Sequence, residues 1–569
     1  MPSELPPGFV LLLAALVAAL AGPRLRTFVL LGAPVLAGAA LLAWPGVGTA
    51  EAAALRVDVA GLQLVLCRID GLSAAFAGVF CLAALLAALF SAHVRDRLQS
   101  AAALAYAGAA IGAVTAGDLV SLFCHVEILS ISGALLVWAR GTARARAAAW
   151  RYLAWQLVAG FLLLAGALVL ANGGGSLLVA PIGDGEGAAR WLLLAAFGIK
   201  AGFPAVHTWI TDAYPEATPT GAVWLSALTT KVGVYALARM FPGHEPLVWI
   251  GVVMACFPIF YAVIENDLRR VLAYSLINQV GFMVCGVGLG TDLALAGTVA
   301  HACTDTVFKG LLFMAMGAVL QQTGRIGGNE LGGLWRSMPA TTGLCIVGAA
   351  SISAFPLFSG FVSKSMIMSA ALAEGHGTVW LLLLFASAGV FHHAGIKIPF
   401  FAFFAHDSGL RPAEPPRNML LAMALAAAFC VVIGCAPSLL YARLPFTTGY
   451  DPYDATHVIA QLQLLLWSAL AFVWLRRTGL YPPELPSVNL DTDWLVRRAA
   501  PAAGRRLAPG CARWLQVARA AVSGAAERLG RVARRVHGPH SRMARSSPTD
   551  RMLLWTAILL VLMLLLYFQ

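Results

Sequence analysis

The segment HACTDTVFKGLLF places His301, Asp305 and Lys309 four residues apart in succession. On a helix these fall on one face, and a row of groups that each hold and release a proton is the chemistry of a relay. The chain has five lysines: Lys200, Lys231, Lys309, Lys364 and Lys397. All five lie inside apolar stretches, whereas the arginines stand mainly in loops and in a basic tail. An ammonium at bilayer depth costs about 2.5–3.5 kcal/mol or more and persists where it is paired, hydrated or functional. Desolvated lysine gives up its proton, and arginine effectively does not. The pattern describes a membrane protein that moves charge.

Other polar residues extend the row. Glu127 sits mid-span in GDLVSLFCHVEILS with His125 close by. A buried carboxylate stays ionised beside a cation, and Lys200 is its natural partner. The bland alternative is a structural buried ion pair. His207 follows Lys200 by seven residues, near the same face if the helix were unbroken. Thr229 and Thr230 precede Lys231 and are expected to bond its ammonium. His392, His393 and Lys397 share FASAGVFHHAGIKIPFFAFF, as a candidate exit towards the outside or, for Lys397, a side chain snorkelling to an interface. No nucleophile elbow, phosphate loop or zinc-protease motif occurs. The ten cysteines are scattered without C-x-x-C, so no metal, iron–sulfur or other cofactor site is expected. GVGLG at Gly286–Gly290 ends a predicted helix with no strand before it, against a dinucleotide site.

The elements that must position these groups are spans. A chain of 569 residues that is 60% hydrophobic and 12% charged reads as an all-α polytopic membrane protein. Sixteen candidate helices fit between residues 8 and 568. The seventh, near 188–210, is interrupted at Gly202–Pro204, and the twelfth, near 340–372, at Pro356–Gly360. Two interrupted spans five apart suit a core of two inverted five-helix repeats. The expected blocks are 1–97 (three entry helices), 98–245 and 246–404 (the repeats), 405–482 (further spans), 483–551 and 552–569. Residues 483–551 are Arg-rich, and 510–536 have the spacing of an amphipathic surface helix, or of a basic linker that enforces topology. The last block is a terminal span. Arginines gather on alternate loops, which puts those loops in the cytoplasm of a cell (inner) membrane protein and both termini outside. The net charge of +12 follows from these arginines, so the bilayer is the expected partner and nucleic acid is not.

Several segments then match a family in order: DGLSAAFAG (Asp70–Gly78), HVEILS around Glu127, KAGFPAVHTWITDAYPEATPTGAVWLSALTTKVGVYALAR from Lys200, ENDLRRVLAYSLINQVGF from Glu265, HACTDTVFKGLLF from His301 and FPLFSGFVSKSMI from Phe355. Over roughly residues 60–375 the chain resembles the proton-pumping antiporter-like subunits of respiratory complex I and of Mrp-type multisubunit cation/proton antiporters. The resemblance implies a buried Glu127–Lys200 pair and transfer along Glu127, Lys200, Lys231, Lys309 and Lys364, with His301 and Asp305 on the central axis. It implies a proton-translocating subunit of a monovalent cation (Na+)/H+ antiporter, working with other membrane subunits and without a cofactor of its own. The alternative is a pumping subunit of a complex I-like NADH:quinone oxidoreductase or membrane hydrogenase, whose partners would carry flavin and iron–sulfur clusters. A third is a cation-coupled energiser of solute uptake. Asp305 stands where the family often has a second histidine, which points towards the D-type subunits of Mrp antiporters. Ser365 stands where an acid often follows Ser-Lys, and HHAGIKIPFF has no counterpart assigned. The Arg-rich helix and terminal span are similar to the lateral-helix arrangement of the largest complex I antiporter-like subunit, and imply a brace against a neighbour.

Overall fold

The computed structural model describes residues 5–567 except 46–52, 60, 184, 186, 447, 487–488 and 538–548. In chain order the helices begin with α1 (Pro7–Leu20), α2 (Pro23–Ala43), α3 (Gly71–Ser91), α4 (Arg97–Thr115), α5 (Leu119–Trp138) and α6 (Ala143–Asn172). The seventh span is split into α7 (Gly187–Ala201) and α8 (Thr208–Ala213). The eighth follows as α9 (Gly221–Ala227) and α10 (Thr229–Met240), and then α11 (Pro246–Ile264), α12 (Leu268–Leu289) and α13 (Asp292–Thr323). The twelfth span is split into α14 (Pro339–Ile352) and α15 (Ser359–Ala373). The next is α16 (Gly377–Val390), continued by π-helical turns at Phe391–Lys397 and Phe400–Phe404. It is followed by α17 (Arg417–Cys435), the short α18 (Ser438–Tyr441) and α19 (Ala455–Arg477).

Thirteen of the described helices are long and apolar enough to cross a membrane. Adding the shorter α1 and the two split spans recovers each of the sixteen expected positions. One element was not expected: a hairpin of β1 (Ala54–Val59) and β2 (Leu62–Arg68), antiparallel in register Ala54↔Arg68 with an irregularity between Leu55 and Arg56. β1 alternates apolar and polar residues from Leu55, and the pair turns at Gly61 (φ 82°), as a hairpin should. Val65 clasps the start of α5: its N–H donates to Asp118 Oδ2 (2.7 Å), and its carbonyl accepts from Gly117 (2.9 Å).

Asp118 also caps α5 through the amides of Val120 and Ser121, as Asp267 caps α12 through those of Arg269 and Arg270. Each aspartate makes a single antiparallel bridge to a later loop, Asp118 to Leu178 and Asp267 to Gly327. The same device thus opens α5 and α12. Close helix packing rests on small residues. A methyl group at Gly251 or Gly281 would overlap backbone across the α11–α12 contact.

At the start of α3, Asp70 forms a capping box with Ser73 and meets Arg239 at 2.6 Å. Burial would raise this carboxyl, but the Arg239 guanidinium and the Ser73 amide hold it down at about 2. Its stabilisation is therefore complete above the unfolded value near pH ~3.9 and is lost as pH falls through the folded one. Asp70→Ala is expected to cost about 1–2 kcal/mol at neutral pH. Thermal unfolding in detergent should show that deficit shrinking as pH approaches 2.

Residues Met1–Asn489 make one compact unit and Leu490–Gln569 another. The second contains α20 (Ala500–His537) and the apolar α21 (Thr549–Tyr567). Arginines and small or apolar residues recur along α20 at helical spacing, as the sequence predicted for 510–536.

Candidate functional site

The two breaks position the charges. Among the described residues only Ala205 (φ 70°), Ala354 (φ 55°) and Leu357 (φ 72°) are non-glycine residues in the left-handed region. All three lie in the breaks, and each carries strain of about 1–2 kcal/mol. A break frees carbonyls at depth, and side chains must satisfy them. Trp209 Nε1 donates to Ile199 O (2.9 Å) near the first, and Lys364 Nζ donates to Ile352 O (3.1 Å) at the second. Lys364 also stands 5.1 Å from the centroid of the Phe282 ring, a cation–π arrangement.

Lys200, on the last turn of α7, is buried and donates to Gln156 Oε1 of α6 (2.7 Å) and Ser130 Oγ of α5 (3.4 Å). Here the structure departs from expectation. Among the described residues Glu127 forms no ion pair with Lys200. Glu127 is half-buried, and its Oε1 lies unbonded against Gly160, where a methyl group would overlap it. The physical reason is competition: Gln156 and Ser130 already occupy the ammonium, and neutral acceptors cost less to bury than a carboxylate. His125 turns away as well, with Nδ1 2.8 Å from its own helix carbonyl at Ser121.

The centre of the axis is an ion pair. Lys231 Nζ lies 2.6 Å from Asp305 Oδ2 with both side chains fully buried, and it also donates to Ser226 O (3.2 Å). Thr229 and Thr230 do not bond this ammonium as expected. Thr229 Oγ1 instead pairs with the hydroxyls of Tyr106 (2.6 Å) and Tyr152 (3.5 Å). Along α13, His301 Nδ1 is 3.0 Å from Ser363 Oγ, and Lys309 Nζ donates to Ser275 Oγ (2.9 Å). The ladder therefore reaches three neighbours: Lys231 of α10 through Asp305, α15 through His301 and α12 through Lys309.

His207 does not share the face of Lys200, because Gly202 (φ 80°) interrupts the helix between them. It opens α8, and its ring packs 4.8 Å from that of Phe257. Lys397 does not snorkel to an interface. Its side chain is fully buried, donates to Val263 O (2.7 Å) and Glu265 O (2.6 Å), and lies 2.9 Å from Glu484 Oε1. These carbonyls end α11 just before Arg269 and Arg270, so Lys397 sits at the arginine-rich end of its span, opposite to the exit direction expected. His392 packs against Phe472 and Tyr481, and His393 is fully buried.

Sequence reasoning missed Gln156, Ser130, Ser275, Ser363 and Glu484. Gln156 carried a signal, a lone amide within an apolar span. Glu484, in YPPELP after α19, carried none. No group of three or more metal-ligating side chains gathers among the described residues.

Residues 116–436 match the family model described as NADH:quinone oxidoreductase/Mrp antiporter, transmembrane. The D-type subunit of a Na(+)/H(+) antiporter from Alkalihalophilus pseudofirmus is 30% identical, over 50% of this chain and 62% of its own. Hydrogenase-4 component B from Escherichia coli is 27% identical, over 56% of this chain and 53% of its own. A chain in the structure of an archaeal membrane-bound sulfane sulfur reductase superposes with TM-score 0.71 at 21% identity, covering 97% of this chain and 99% of that one. The chain spans no more than 66% of the length of the curated relatives it matches. The matched region takes in every residue of the charged axis from Glu127 to Lys364, and the chain belongs to the NADH:quinone oxidoreductase/Mrp antiporter family of membrane subunits.

Proposed function

We propose that this chain is the proton-translocating subunit of a multisubunit Na+/H+ antiporter, of the D type found in Mrp assemblies. One observation carries the reading: Asp305 is the only carboxylate within ion-pair distance of the axis lysines among the described residues, and it meets Lys231 alone. Lys200, Lys309 and Lys364 are held by a glutamine, serines and a carbonyl. Such partners hold an ammonium by accepting its hydrogen bond, and a serine hydroxyl can also donate to the neutral amine. Each site can therefore exist with or without its proton, which a relay needs and a rigid salt bridge does not allow. Loss of Asp305 from Lys231 would free a carboxylate to favour protons on its neighbours, so opening and closing of this pair can pass occupancy along the axis. Glu127, His207 and His301 complete the proposed path. Moving one charge against 100 mV requires about 2.3 kcal/mol, within the reach of one such switch.

Lys200→Ala is expected to abolish Na+-dependent proton movement in everted vesicles that contain the intact complex, with subunit levels unchanged. Undiminished antiport would overturn the reading. A second reading, a pumping subunit of a complex I-like oxidoreductase or membrane hydrogenase, is supported by the resemblance to a respiratory-complex chain along nearly the whole sequence. Visible absorbance of iron–sulfur clusters in the purified complex would favour it, and their absence would favour the antiporter.

A further inference from the structure

Lys397 lies outside the four-lysine axis, yet its surroundings are built from chemistry-bearing groups. Glu484 approaches it from the segment after α19, with its side chain only 6% exposed. The carbonyl of Glu265 accepts from the same ammonium, and the Glu265 carboxylate takes a hydrogen bond from Asn489 (3.1 Å) and lies 3.9 Å from Arg270. Arg270 is partly exposed, so the cluster runs from water inward. On the inner side, four residues before Lys397, stands His393. It is fully buried, and the ring approaches the Gly389 carbonyl one turn earlier in its own helix, with no side chain bonded to it among the described residues. Its ring lies within the electrostatic reach of both Lys309 and Lys397. A buried imidazole near two buried lysines, with no side-chain partner, is costly as packing. It stands on a π-helical stretch, and such stretches mark functional sites more often than chance.

We infer that Glu484, Lys397 and His393 form a proton-access route from the arginine-rich face to Lys309, closed by the segment that carries Glu484. This rests on the proton-transfer reading above. Starting from the ion pair, Lys397 passes a proton to His393, which leaves a neutral amine beside the Glu484 carboxylate. Glu484 then takes a proton from the aqueous side and delivers it to Lys397, restoring the pair, while His393 hands its own to a neutral Lys309. No bond other than N–H and O–H is made or broken, and charge is conserved at each transfer. Burial pushes the Glu484 carboxyl above its usual range although Lys397 pulls it down, which suits a group that must accept a proton near neutrality. Tyr481 anchors the segment by packing against Phe401, Phe472 and His392.

The test measures proton movement in everted vesicles carrying the intact complex, with subunit abundance read by immunoblot. Glu484→Gln and His393→Gln are each expected to slow it by about 100-fold, the usual scale for a lost acid–base group, while Glu484→Asp retains most of the rate. His393→Gln leaves the ion pair intact, so it remains informative if Glu484→Gln fails to assemble. A purely structural seal behaves differently: Glu484→Gln would transport normally, or Lys397→Met with Glu484→Met would restore transport by repacking. Either result overturns the inference and leaves the function standing, provided Lys200→Ala is inactive. If Lys200→Ala is active, both fall.

Discussion

Asp305→Ala is expected to stop proton movement and to destabilise the protein by about 3–5 kcal/mol, the usual cost of stranding one half of a buried ion pair. The reason is geometric. Lys231 Nζ stands 2.6 Å from this carboxylate, and neither side chain touches solvent. Removing the acid leaves the ammonium with the Ser226 carbonyl alone, and it must either stay charged at high cost or lose its proton. The second half of the experiment separates fold from function. Replacing both residues with methionine removes both charges at similar volume, which is often neutral or stabilising by about 1–4 kcal/mol. Thermal unfolding of the double variant should therefore approach that of the natural chain, while vesicle transport stays absent. Transport at the natural rate by the double variant would show that the pair only holds helices together.

Gly360→Ala should be the most damaging substitution of a single hydrogen atom by methyl. The added carbon would overlap the carbonyl oxygen of Ser351 across the second break, and a backbone atom there cannot swing aside as a side chain can. Overpacking of this kind costs about 1–3 kcal/mol. Functional loss should exceed that figure, because α15 must move away from α14. The shift carries Lys364 from the Ile352 carbonyl and Ser363 from His301, contacts now at 3.1 and 3.0 Å. Antiport should fall by at least about tenfold, since a misplacement of about 1 Å can cost 100-fold in a positioned site. A Gly360→Ala complex with unaltered melting temperature and transport would mean that the two halves of the span are not in rigid contact.

Much of this was legible from the sequence, for identifiable reasons. Apolar length and arginine-marked loops located every span, because hydrocarbon thickness leaves few alternatives. Gly202–Pro204 and Pro356–Gly360 announced the breaks. The ladder His301, Asp305 and Lys309 followed from helical period alone. The partners did not. Lys200 settles on Gln156 and Ser130, Lys309 on Ser275 and Lys364 on a main-chain oxygen. Neutral groups of that kind occur in many spans and give no charge signal to follow. Charge logic pairs Glu127 with Lys200; the two groups do act on each other electrostatically, but the neutral acceptors take the direct contacts. Lys397 was misplaced because its partner comes from a proline-rich loop after α19, distant in sequence and outside any periodic pattern. The π-helical turns around it have no compositional signature, since they arise from packing and not from residue preference.

Glu127 is only half-buried as a residue, on a face that also presents Ile128 and Ile131 to the surroundings. An acid there faces acyl chains whenever the subunit stands alone, at about 2.5–3.5 kcal/mol for a charged group at mid-depth. That is a large share of the margin by which a folded protein survives cellular quality control. A freshly made chain is therefore expected to be short-lived until another protein surface covers this strip. Its abundance in the cell should follow the supply of that neighbour more closely than its own rate of synthesis.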